Sequence, residues 1–145
     1  MFIENLKETL SLGIKLSHNL NPQSIVLLQG PIGAGKTSFV QGIAKGISIS
    51  EDITSPTFAL SHHYNSGRIP LIHLDLYRLE KISSAKEVFF AEEEEAIQKQ
   101  AILVIEWPEL IEPVIDNYWK IEISYARNYG RHYKIRSPKN FLTFS

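Results

Sequence analysis

A three-layer α/β fold around a mixed parallel and antiparallel sheet is predicted by three features of this 145-residue chain. First, the apolar run Ile25-Val26-Leu27-Leu28 enters a glycine-rich turn, Gly30 to Thr37, and leaves it in a helix-compatible stretch, Ser38 to Ala44. Second, Ala101 to Ile105 is continuously apolar, as a strand buried on both faces requires. Third, Asn65-Ser66-Gly67 joins two strand-like segments by a turn so short that they must pair antiparallel.

Taken in order, residues 4–19 carry Leu6, Leu10, Ile14 and, off the main line, Leu16 at helical spacing, and Asn21-Pro22 ends that helix. A strand over 24–29 leads into the glycine turn, and the following helix runs to about Gly46. Residues 57–64 and 70–76 read as the two strands of the hairpin. Residues 83–99 read as a helix with Ala85, Val88, Phe89 and Ala96 on or near one face. A central strand follows at 101–105, then a short helix or turn over 108–115. Residues 118–124 alternate like a strand, Tyr129-Gly130 turns the chain, and His132 to Arg136 returns. The whole chain, 1–145, reads as one domain, with no repeat, linker or low-complexity tract.

The glycine turn spells G-x-x-x-x-G-K-[ST], the P-loop pattern: Gly30-Pro31-Ile32-Gly33-Ala34-Gly35-Lys36-Thr37. Glycines let the backbone wrap so that its N–H groups converge on a phosphate. The helix N-terminus that follows adds partial positive charge. Lys36 would bridge the β- and γ-phosphates, and the Thr37 hydroxyl would ligate Mg²⁺. The fold class is therefore that of P-loop NTPases.

Such a site needs a carboxylate at the end of a neighbouring strand, to hold the metal or to position the attacking water. Glu106 ends Ile102-Leu103-Val104-Ile105, a Walker B pattern with Glu for the usual Asp, and Asp75 ends Leu71-Ile72-His73-Leu74. Either residue alone reads equally as a turn cap or an arginine partner; the P-loop favours function for both. Glu92-Glu93-Glu94-Glu95 point in four directions on a helix and read as a solvated face, with an acidic docking surface as the alternative. His62, His63 and His73 read as surface or half-buried, since no spacing matches a zinc motif. Trp107 and Trp119 read as packing residues, with Trp107 placed to shape the edge of the site.

Composition narrows the class further. A net charge of −1 gives no basic field for nucleic acid or anionic membrane. With no cysteine there are no disulfides, thiolate zinc sites or cysteine nucleophiles, which fits a reducing compartment. No apolar run approaches the ~20 residues of a membrane span, and the N-terminus lacks the regions of a signal peptide. The expected location is the cytoplasm.

Four segments together resemble one family. They are Leu28-Gln29-Gly30 through Thr37, Thr54-Ser55-Pro56-Thr57-Phe58, His73-Leu74-Asp75-Leu76-Tyr77-Arg78-Leu79, and Val104-Ile105-Glu106-Trp107-Pro108. In this order and spacing the chain is similar to the TsaE (YjeE) family, small bacterial ATPases of tRNA threonylcarbamoyladenosine synthesis. The resemblance extends from the N-terminal helix to Gly130-Arg131. It implies a helper that binds ATP and Mg²⁺, docks on the TsaB–TsaD pair and meets tRNA only through that complex. Its hydrolysis would support repeated modification of the adenosine beside the anticodon. By the same resemblance, Thr37 and Glu106 would hold Mg²⁺, with Asp75, Glu106 and Lys36 as the catalytic set. Gly30, Ile32, Gly33, Ala34, Gly35, Lys36, Thr37 and Ser38 would contact the nucleotide, bordered by Leu6, Thr9, Gly130 and Arg131. Thr54 to Thr57 would act as a switch near the γ-phosphate. Two stretches depart from the family pattern. Pro31 stands where Asp is usual, and Phe89 to Ala96 lacks the usual glycine-containing segment.

Three other readings are open. A small-molecule kinase shares the P-loop but needs an acceptor pocket and usually an arginine-bearing lid, and no lid-sized insertion is present. A GTPase normally carries Asn-Lys-x-Asp, which is absent. In a non-catalytic module, ATP would only stabilise a binding surface.

Overall fold

The computed structural model describes residues 1–56 and 60–139. Among the described residues seven strands and three α-helices follow one another in the order β1 (Phe2–Ile3), α1 (Leu6–Ser17), β2 (Ile25–Gln29), α2 (Lys36–Gly46), β3 (Ser61–Tyr64), β4 (Leu71–Asp75), α3 (Ile82–Lys99), β5 (Ile102–Glu106), β6 (Trp119–Tyr125) and β7 (Arg131–Arg136). A single 3₁₀ turn, Glu112–Val114, lies between β5 and β6, where the sequence predicts a short helix or turn.

The strands form one sheet in the order β1-β7-β6-β2-β5-β4-β3. Strands β6, β2, β5 and β4 run parallel, while β7, β1 and β3 pair antiparallel at the two sides. The predicted mixed sheet is therefore present, parallel beside the glycine turn and antiparallel in both hairpins. Every residue of β5 is buried, as its apolar run requires. The first hairpin strand begins at Ser61; the predicted residues 57–59 lie outside the described residues.

Period-2 alternation sorts the core into two halves. Val26, Leu28, Ile102 and Val104 face α1 and α2, whereas Leu27, Ile72, Leu74, Leu103 and Ile105 face α3. The result is helix, sheet, helix.

β1, only two residues long, is too short to show a period in the sequence. The helical spacing of residues 4–19 is realised as α1; Leu16 is buried, Leu10 and Ile14 are half-buried and Leu6 is exposed, and the buried face is Thr9, Leu12, Gly13, Leu16 and Ser17. The reason is a close helix crossing. A Cβ on Gly13 would lie 2.6 Å from the Phe39 carbonyl oxygen and 2.9 Å from Gly42 Cα. One on Gly42 would lie 2.5 Å from the Leu10 carbonyl oxygen. The two glycines let α1 seat directly on α2, and that contact turns the helix.

Helix α3 buries Ala85, Phe89 and Ala96 as expected. Its acidic run is only partly a solvated face. Glu92 turns inward to the edge strand, accepting from Ser61 Oγ at 3.2 Å and lying 2.8 Å from His63 Nε2. Glu95 pairs outward with Lys99 at 3.8 Å.

Candidate functional site

The glycine turn sits at the C-terminal end of β2, between parallel neighbours β5 and β6. In open α/β sheets ligands bind beyond the strands' carboxyl ends. Gly33 and Gly35 take φ of +79° and +101°, values a side chain resists. Gly35 is the residue before α2, so Lys36, Thr37 and Ser38 form the helix's first turn and carry its unpaired N–H groups.

Lys36, Thr37, Asp75 and Glu106 line one cavity of about 540 Å³, with Ile32, Gly33, Gly35 and Ser38 on the turn side. The wall opposite is Ser55, Pro56, Tyr77, Arg78 and Trp107. Of the expected switch, Ser55 and Pro56 are in the cavity wall, Thr54 is not among the lining residues, and Thr57 lies outside the described residues. Leu6, Thr9, Ala34 and Arg131 line a second hollow of about 190 Å³, which shares Gly35 and Ser38 with the first. Gly30 and Gly130 line neither. Gly30 backs onto Ile123, and Gly130 is covered by the Phe2 ring.

The charges of the main cavity are arranged in tiers. The Lys36 ammonium donates to the carbonyls of Gly30 and Pro31 and lies 4.1 Å from the Trp107 ring centre, a cation–π contact. Burial lowers its pKa below the ordinary lysine value, against the opposing pull of Glu106, Asp75 and Glu109. Asp75 and Glu106 stand side by side in register on parallel β4 and β5. Burial raises the Asp75 carboxyl above the ordinary range; Glu106 adds to this, while the Tyr77 N–H that Asp75 accepts at 2.9 Å opposes it. Trp107 takes φ +57° immediately after Glu106, and its N–H donates to the Leu28 carbonyl at 3.3 Å. That turn folds its ring back over Lys36 and against Tyr77, ring centres 4.8 Å apart.

The β6–β7 hairpin braces the loop from the other side. Arg131 donates to the Gly33 carbonyl at 3.3 Å and stacks 4.6 Å from the Tyr125 ring centre, and the Tyr125 hydroxyl donates to the Ile32 carbonyl. Pro31 presents its carbonyl to the Ala34 N–H at 3.1 Å. The loop closes without a side-chain acid there.

The histidines divide. His63 is half-buried, as expected. His73 is not: it is wholly buried, with Nε2 2.5 Å from Glu106 Oε2. Alternation along β4 did place it on the face of Asp75, but nothing in the sequence paired it with Glu106. Among the described residues no three His, Cys, Asp or Glu side chains converge as a metal cluster. No helix among them is long and apolar enough to cross a membrane.

Fold and loop define the class: an α/β protein with a mixed seven-stranded sheet and a glycine-rich turn between β2 and α2. The family follows from comparison. The model for threonylcarbamoyl adenosine biosynthesis protein TsaE matches residues 3–133, and the chain belongs to the TsaE family. It is 42% identical over 137 residues to a tRNA threonylcarbamoyladenosine biosynthesis protein TsaE of Nostoc sp., covering 93% of this chain and 83% of that one. The counterpart from Bacillus subtilis is 35% identical over 108 residues, 74% of this chain and 65% of its own. The crystal structure of Bacillus subtilis YdiB superposes with a TM-score of 0.79 at 27% identity, covering 97% of this chain and 85% of that one.

Proposed function

We propose that this protein binds ATP with Mg²⁺ at the β2–α2 loop. It hydrolyses ATP slowly, in the cytoplasm, as a helper of tRNA threonylcarbamoyladenosine biosynthesis. It acts with the TsaB–TsaD pair and reaches tRNA only through that complex. The observation that carries the reading is the meeting of Lys36, Thr37, Asp75 and Glu106 in one cavity of about 540 Å³. That size suits a drug-sized ligand, and the donors suit phosphate and a hard cation.

The N–H groups of the first turn of α2 and the Lys36 ammonium bind phosphate oxygens. Lys36 exchanges the Gly30 and Pro31 carbonyls for them. The Thr37 hydroxyl and the Glu106 carboxylate are the residues that would hold Mg²⁺, oxygen donors of the hard kind this ion takes. When bound, the ion supplies charge neutralisation on the β- and γ-oxygens. Asp75 orients the attacking water, and burial readies its carboxylate to take a proton from it. Leu6, Thr9 and Arg131, around the smaller hollow, border the rest of the nucleotide.

Titrating ATP with and without Mg²⁺ tests the division of roles. Glu106→Ala should lose the Mg²⁺-dependent part of the affinity, and Asp75→Ala should keep binding and lose hydrolysis. The reverse pattern would exchange the two assignments. ATP consumption that phosphorylates an added small molecule would replace the helper reading with that of a kinase.

A further inference from the structure

We infer that His73 is a positioning residue for Glu106: its Nε2 holds one carboxylate oxygen and so fixes the direction in which Glu106 meets a cation. The inference rests on the reading of Glu106 as the metal-holding carboxylate. Its observations are geometric. On parallel β4 and β5, His73 stands opposite Val104, and Asp75 opposite Glu106. Alternation puts all four on the face toward α2, with His73 one rung deeper than the carboxylates. The imidazole is 0% exposed and Glu106 3%. The ring's Nε2 reaches up to Glu106 Oε2.

The chemistry of the pair then follows. A carboxylate oxygen accepts, so for His73 to hold Glu106 its Nε2 must carry the proton of the contact. Nδ1 is buried and has no partner among the described residues, so nothing on the far side of the ring pulls it away from Glu106.

Asp75 is anchored differently, by the backbone N–H of Tyr77. The two adjacent carboxylates are thus set by independent partners and are not free to trade places. Mg²⁺ demands near-octahedral geometry, and one pre-aimed oxygen meets that demand better than a rotating carboxylate. Partners in this position are worth about 10–100-fold in metal affinity.

Two measurements decide it. Long-range ¹H–¹⁵N NMR of the labelled full chain, with His73 assigned by its loss in His73→Gln, should show a proton on Nε2. An Nε2 without a proton overturns the inference. Separately, the affinity for fluorescent N-methylanthraniloyl ADP is measured with and without Mg²⁺. His73→Leu should lower the Mg²⁺-dependent gain about 10–100-fold while the metal-free affinity holds. His73→Gln, whose amide N–H can reach the place of Nε2, should restore most of it. In a Glu106→Gln background His73→Leu should change nothing more. Equal loss with and without Mg²⁺, or no rescue by Gln, would reduce His73 to a packing residue. If His73→Leu fails to fold, His73→Gln and the tautomer still decide. Should the wild type bind no nucleotide, the functional reading falls, and the tautomer alone answers whether His73 holds Glu106.

Discussion

Asp75 and Glu106 are neighbours on adjacent strands, yet each is held by a different kind of group, and Lys36 lies among the charges acting on Asp75. The residues were legible as candidates because each ends an apolar strand. Their supports were not. His73 reads like any histidine on a strand, since period 2 gives a face and not a partner across the sheet. The fold of Trp107 over Lys36 depends on a left-handed backbone turn that no local pattern announces. Two predictions belong here. Lys36→Ala removes a charge-assisted contact worth roughly 1.5–3 kcal/mol, so ATP affinity by calorimetry should fall about tenfold to a hundredfold or more in a folded protein. Unchanged affinity would contradict the phosphate role. Asp75→Asn keeps an acceptor for the Tyr77 N–H but removes a charge that burial disfavours. The folded pKa of Asp75 is raised, so its ionised form destabilises the fold above that pKa. The penalty fades as pH falls through the raised value and is gone below the unfolded value. Asp75→Asn should therefore melt higher than wild type at pH 7, by an amount that shrinks toward pH 4, while hydrolysis is lost. A lower melting temperature at pH 7 would mean that Asp75 is a net stabilising ion.

Among the elements, α1 and α2 make the contact on which the site's geometry depends. Strands announced themselves by alternation or apolar runs. The orientation of α1 did not, because glycine carries no hydropathy signal, and two glycines set the crossing. Leu6, exposed at the first turn of α1, is instead at the rim of the smaller hollow with Thr9. Gly42→Ala should show how tight the crossing is. Its methyl would lie 2.5 Å from the Leu10 carbonyl oxygen, and backbone cannot yield as a flexible side chain does. Overpacking of this kind costs about 1–3 kcal/mol, more than the ~1 kcal/mol that alanine gains over glycine in a helix. The melting temperature should drop. Because α2 carries Lys36 and Thr37 at its first turn, a shift of that helix should also weaken nucleotide binding. A higher melting temperature would show that helix propensity outweighs the contact.

At the scale of the whole molecule, the proposed helper role bears on how complete the site is by itself. The cavity is lined by the Lys36 ammonium, the Thr37 hydroxyl and two carboxylates, together with Ser55, Pro56 and the exposed Arg78. Arg131 is spent on the loop: its guanidinium holds the Gly33, Tyr129 and Gly130 carbonyls and stacks on Tyr125. It is thus a brace, not a group aimed at a developing charge. An arginine or its equivalent supplied in trans is worth ~10³–10⁵ in rate in phosphoryl transfer. A partner can also act by ordering a switch against the γ-phosphate. Two outcomes are expected from this. ATP turnover by the isolated chain should be slow, and addition of the TsaB–TsaD pair should raise it by at least an order of magnitude at saturating ATP. Phosphate release measured with the chain alone, with the pair alone and with both separates the contributions. The Asp75→Asn chain should still join the complex but show no acceleration, which assigns the turnover to this site and not to the pair. Fast hydrolysis by the isolated chain with no response to the pair would remove the helper reading, because a site already complete needs nothing from a partner.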